Sequence, residues 1–236
     1  MTFGGIPLRA CEFYAGLEAD NSRAYWNAHK ATYERDVKAP LQALAELVEA
    51  EFGEPKLFRA HRDVRFSADK SPYKEHQGLV VGQPPALGYY VQISADGLAL
   101  GGGFHAASPA QTAAWRAAVD APASGAALAK AVDAAVADGA EILGDRVKTT
   151  PRGYAADHPR IDLLRLKELM LIWHVGTPDW LETPAAADHI VRPWRTPDAD
   201  HHLTRRAPPR GEMTRAVALS VRGPCGAAPQ DRKSAV

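Results

Sequence analysis

Cysteine is almost missing from this chain: two occur in 236 residues, Cys11 and Cys225, near opposite ends. Two thiols so placed make neither a disulfide framework nor the paired spacing of a zinc site, and a chain of this length buries a core without such staples. Long apolar runs are absent too. Nothing approaches the length that spans a membrane, and the first ten residues, MTFGGIPLRA, contain no stretch of signal-peptide length. Net charge is also lacking, because 28 Lys and Arg balance 28 Asp and Glu at a pI near 7.1. Composition therefore offers no long-range attraction to nucleic acid or to an anionic membrane. Neither a phosphate-cradling GxxxxGK[ST] nor a dinucleotide fingerprint occurs, and there is no HExxH or Ser-His-Asp order. The expectation is a soluble cytoplasmic protein without a membrane partner. Its cofactor is unknown and its oligomeric state is open.

What is present is local charge. Arg59 to Lys74, RAHRDVRFSADKSPYK, carries Arg59, Arg62, Arg65, Lys70 and Lys74 against only Asp63 and Asp69. If Arg59 to Phe66 is extended, Arg59, His61, Asp63 and Arg65 share one face, and Arg62, Val64 and Phe66 share the other. Asp63 is then placed to hold the guanidinium forks of Arg59 and Arg65, and a fixed fork grips an anion in two-pronged fashion. From Ser67 the chain turns polar, with Ser67, Asp69, Ser71 and Pro72 favouring turns, so Lys70, Tyr73 and Lys74 are expected on a loop.

Elsewhere the patterns are ordinary. Leu41, Leu44, Ala45, Val48 and Phe52 form a helical stripe with Pro40 at its start and Gly53 at its stop. Asp20, Asn21 and Ser22 offer caps to a preceding helix whose Trp26 and Tyr33 read as core. Lys56 to Phe66, Gln77 to Val81, Tyr89 to Ser94 and Leu98 to Gly101 read as short strands, with Asp96-Gly97 as a hairpin turn and Gly101, Gly102 and Gly103 at the hairpin's end. Ser108-Pro109-Ala110-Gln111 opens a helix through Trp115 and Val119, and Leu128, Val132 and Val136 mark another that ends at Asp138-Gly139. A second polar cluster, KTTPRGYAADHP at 148 to 159, carries Arg152, Tyr154 and His158 ahead of a helix with Leu163, Leu164 and Leu166.

Taken together, NSRAYW at 21 to 26, FRAHRDVRFSADKSPYK at 58 to 74, ADGLALGGGF at 95 to 104 and TPRGYAADHPRIDLLRLK at 150 to 167 closely resemble the bacterial and fungal family called domain of unknown function 2461. The resemblance covers roughly Phe3 to Trp194. It implies a mixed α+β single domain, mainly an antiparallel sheet covered by N-terminal and C-terminal helices, and it brings no substrate or cofactor. Beyond Trp194-Arg195 the chain departs from the family's closing amphipathic helix, and residues 196 to 236 read as an aberrant or disordered Arg/Pro-rich tail outside a domain of residues 1 to 195. Asp198, Asp200, His201 and His202 lie in that tail. Adjacent histidines without further ligands do not close a metal site, so none is expected.

Three functional readings follow. In the first, an enzyme or binding protein takes a phosphorylated or carboxylated small molecule. Its ligand-binding residues are Arg59, Arg62, Asp63, Arg65, Ser67, Asp69, Lys70, Gly102, Gly103, Arg152 and Tyr154, and its proton-transfer groups are Lys74, Tyr73 and His158. In the second, the same cations contact nucleic-acid phosphates while Phe66, Tyr73 or Tyr90 stack on bases. In the third, the cluster is an ion-pair lattice that stabilises the fold, and loss of Arg65 or Asp63 costs about 3 kcal/mol or more by leaving a buried partner unpaired.

Overall fold

In the computed structural model, which describes residues 2–65, 69–83, 87–105 and 108–195, two helices start where a serine side chain satisfies a free amide. The Ser22 side chain accepts from the Tyr25 N–H and opens α2 (Arg23–Thr32), which follows α1 (Arg9–Ala19). Ser108 accepts from the Gln111 N–H and opens α4 (Pro109–Asp120), with Pro109 in the first turn as expected. Gly53 closes α3 (Ala39–Phe52) at φ 96°, a conformation that costs a glycine little.

Pro40 does not start a separate helix. α2 runs directly through a widened segment, Tyr33–Lys38, into α3, and the Ala39 N–H donates to Glu34 O, five residues back. Proline has no N–H for the carbonyl four residues behind it and its ring crowds that carbonyl. A π-type turn immediately upstream gives the room, so one long helical run replaces the two helices expected.

The described strands form one six-stranded antiparallel sheet in the order β1-β2-β3-β4-β6-β5. They are β1 (Pro55–Leu57), β2 (His76–Gln83), β3 (Leu87–Ser94), β4 (Gly97–His105), β5 (Glu141–Leu143) and β6 (Glu168–Gly176). Leu79, Val81, Val91, Ile93, Leu98, Leu100, Leu169, Leu171 and Trp173 point to one face and belong to the main core. Against that face pack α1 on β3 and α3 on β1 and β2. The other face carries a separate small cluster of Tyr90, Ala99 and Ile172, with Phe58, Val80 and Met170 against it. This is the α+β antiparallel architecture expected from the resemblance.

Four local expectations are corrected. The strand expected over Lys56 to Phe66 stops at Leu57, after which the chain folds back and, among the described residues, His61 forms an isolated bridge with Tyr73. Gly97 is the first residue of β4, opposite Ser94, so the turn residues are Ala95 and Asp96; a side chain at 97 would strike the Gly176 backbone. The strand expected to end at Gly101 continues to His105. The helix expected after Pro159 is one short turn, α6 (Ile161–Arg165), and the apolar run that follows it is β6. α5 (Pro122–Ala137) and α7 (Ala186–Arg195) complete the helices. The expected tail, with its Asp198, Asp200, His201 and His202, lies outside the described residues, as does Cys225.

Candidate functional site

The segment between β1 and β2 is held from one side by the α1–α2 corner. Asn21 clamps it: its Nδ2 donates to Tyr73 O at 3.0 Å and to Glu75 Oε1 at 3.1 Å, while its Oδ1 accepts from the Tyr73 N–H at 3.1 Å. Trp26 stacks on the Tyr73 ring, 4.2 Å between centres and 7° from parallel. The segment also closes on itself, since the Arg62 N–H donates to Pro72 O and the Lys74 N–H to Ala60 O. The NSRAYW motif thus serves as the seat of the charged loop.

Charge within the loop sorts into pairs. Asp63 takes a two-pronged bond from Arg65, Nε to Oδ1 at 2.9 Å and a terminal nitrogen to Oδ2 at 2.7 Å, with Arg59 at 3.8 Å. The bond from Arg65 is the first cause holding the Asp63 carboxyl below its usual range. Both partners are exposed, so the expectation of a buried lattice through Arg65 and Asp63 fails at this pair: water screens it and can replace it. Arg62, more enclosed, is paired with Asp69 and lies 3.8 Å from Glu75. Asp69 also accepts from the Ser71 N–H and hydroxyl, a local turn. Lys70 donates to Val64 O at 2.9 Å. Phe66 and Ser67 lie outside the described residues.

Lys74 differs from these. It is half-buried, its ammonium stands 5.1 Å from the centre of the Phe58 ring, and no carboxylate pairs with it among the described residues. Burial first, then the positive charges of Arg59 and Arg62, lower its pKa. Phe58 in turn rests over Gly78, where a Cβ would sit 2.6 Å from the Tyr90 hydroxyl and 3.0 Å from Phe58; the missing side chain lets both rings lie on the strand. Burial pushes the Tyr90 hydroxyl up to about 12, so it stays protonated at neutral pH.

Two of the three expected proton-transfer groups are committed elsewhere. Tyr73 is 5% exposed and its ring belongs to the main core. It looks inward because the loop's isolated bridge with His61 turns it onto Trp26. In His158, Nδ1 accepts from the Arg160 N–H at 3.0 Å and Nε2 lies 3.2 Å from Asp120 Oδ1, so both ring nitrogens are engaged. Arg160 adds bonds to Val119 O and Asp120 O, and the whole loop acts as a clasp on the α4–α5 corner. Tyr154 sits edge-on to His158, and Arg152 is exposed. This clasp and the Arg59–Lys74 loop are anchored on different elements, one on α4 and the other on α2 and β2.

Gly102 and Gly103 are also corrected. They lie inside β4 with β3 on one side and β6 on the other, so their backbone groups are spent in ladders rather than free to cradle an anion. A Cβ at Gly103 would overlap Leu169 O, which is the reason for glycine there.

Sequence reading missed His76. It begins β2, opposite Ser94, on the same side of the strand as Gly78. Burial first, then Lys74 and Arg62, hold its imidazole below the ordinary 6.5, and Glu75 opposes them. The alternation of His76 and Gly78 was the available signal. A separate hollow of about 340 Å³ is bordered by Phe52, Tyr89 and Trp194, but its one cation, Arg195, is held two-pronged by Glu51. Among the described residues no cluster of metal-binding donors occurs, and no helix is long and apolar enough to cross a membrane.

A family model described as conserved hypothetical protein (DUF2461) matches residues 9–199, and the chain belongs to that family. No curated protein and no solved structure matches it.

Proposed function

We propose that this member of the family binds a small phosphorylated or carboxylated molecule at a cationic site centred on Lys74, with Arg59 beside it. The carrying observation is the unmatched ammonium of Lys74. Between residues 59 and 75 there are five Lys and Arg but only three carboxylates, Asp63, Asp69 and Glu75. Those carboxylates are taken up by Arg65 and Arg62, with Arg59 only loosely served. A half-buried ammonium resting on an aromatic ring with no carboxylate beside it has its charge available to an incoming anion. Phe58 and Tyr90 beside it supply an apolar floor for the body of such a molecule.

The direct test is thermal unfolding of the full chain with inorganic phosphate, pyrophosphate, ribose 5-phosphate, citrate and short oligonucleotides, repeated on Lys74→Met and Lys70→Met. An anion at a hundred times its Kd adds about 2.7 kcal/mol, which for a chain of this size raises Tm by roughly 5–11 °C. The small anions are expected to raise Tm in the unaltered chain and in Lys70→Met, and to lose most of that effect in Lys74→Met. A shift only from oligonucleotides, lost steeply with salt, would favour nucleic-acid binding instead. No shift from any anion would refute the site.

A further inference from the structure

Within β2, which begins at His76 just after a bend at Glu75, successive side chains alternate. Glu75 and Gln77 turn toward the helices: Glu75 Oε1 accepts from Asn21, and Gln77 Oε1 accepts from the Tyr33 hydroxyl. His76 and Gly78 therefore turn to the face opposite Gln77, and the Lys74 ammonium reaches that face through its contact with Phe58, which lies against Gly78. Ammonium and imidazole flank the same apolar patch. Neither ring nitrogen of His76 has a hydrogen-bond partner among the described residues, so both are free of protein partners there.

The charges acting on that ring are Lys74 and Arg62, which disfavour its protonation, and Glu75, which favours it. From the neighbouring strand it meets the neutral Ser94. Asp96 in the β3–β4 turn and Glu18 near the end of α1 gather with Glu75. An anion resting on Lys74 reverses this sum, because negative charge then lies beside the imidazole and an acceptor oxygen comes within reach of its N–H.

We propose that His76 is a second contact for the anion held at Lys74, and that binding of a doubly charged phosphate or dicarboxylate there is coupled to uptake of one proton by the His76 ring. The proton comes from solvent, neutral imidazole becomes imidazolium, and the new N–H donates to the anion; no other bond changes. This rests on the cationic-site reading above. It narrows the ligand class to dianions and makes the proton-linked part of their affinity fall as pH rises through the midpoint of the bound His76 ring.

The test is an NMR titration of the His76 ring in the full chain, without and with saturating inorganic phosphate, the resonance being assigned by its loss in His76→Gln. Phosphate is expected to raise the His76 midpoint by about one pH unit, equivalent by linkage to a tenfold coupling. His76→Gln is expected to bind phosphate as the unaltered chain does at pH 8 and to lack the gain the unaltered chain shows at lower pH, which approaches tenfold only below the midpoint of the free ring. A His76 midpoint unmoved by phosphate that binds through Lys74 overturns the coupling and leaves the cationic site standing. Phosphate that does not bind at all overturns both.

Discussion

Replacing Asn21 with alanine isolates what seats the charged loop. The side chain satisfies both backbone groups of Tyr73 and one oxygen of Glu75, at 3.0 to 3.1 Å. Each such bond contributes a net of about 1 kcal/mol, and more where the abandoned group stays buried. The Tyr73 groups are part-buried, so water partly replaces the lost partners, and the expected cost is about 2 kcal/mol. With a urea slope of about 2 kcal/mol per molar, the unfolding midpoint falls by about 1 M. Asn21→Asp should do no better: it keeps an acceptor for the Tyr73 N–H but sets a carboxylate against Tyr73 O and Glu75. Hydrogen exchange separates a loosened loop from general weakening, because the Tyr73, Lys74 and Arg62 amides close this segment. They should exchange faster in Asn21→Ala by a larger factor than the amides of β3 and β4. An unchanged midpoint, or equal acceleration everywhere, refutes the clamp.

Other perturbations have definite signs. Trp26→Ala removes a buried ring stacked on Tyr73 and is expected to cost about 3–5 kcal/mol in urea unfolding. Gly103→Ala should prevent folding, because its Cβ meets the Leu169 carbonyl, whereas Gly153→Ala, strained at φ 93° but in open space, should fold with a cost of about 1–2 kcal/mol; circular dichroism melts distinguish them. Arg65→Ala, at an exposed pair, should leave the urea midpoint nearly unchanged, and early unfolding would restore the lattice reading. His76 and His189 both have folded pKa values lowered chiefly by burial. The unfolded chain therefore binds more protons near pH 6.5, and stability should fall as pH drops below that value, then level off beneath the folded pKa values. His76→Gln should make that slope shallower.

What the sequence discloses and what it hides divide by contact range. Ser22, Gly53 and Ser108 act on amides or carbonyls within three or four residues, so their roles are legible from neighbouring letters. Pro40 was misread because the widened turn that accommodates it is a property of the whole helical run, not of proline's own preference. β6 was read past for a related reason: ELMLIWHVG is apolar on both sides, and such a run shows neither strand nor helix periodicity until β4 and β5 flank it. The loop from Arg59 to Lys74 was recognisable as charged, and the pairing of Asp63 with Arg65 follows from a spacing of two residues. The role of Tyr73 could not be found in that way. Its place in the core depends on Asn21 and Trp26, about fifty residues earlier, and a tyrosine among lysines looks like a solvent-facing group until the helix carrying Trp26 is set against it. The same long-range arrangement makes the remaining cations unequal: Asn21 engages Glu75 from the helix side, while His76 turns to the opposite face and the Lys74 ammonium reaches it over Phe58, where no carboxylate pairs with them among the described residues. A charge cluster read from sequence gives the sum of its charges; the clamp decides which of them lack a carboxylate partner among the described residues.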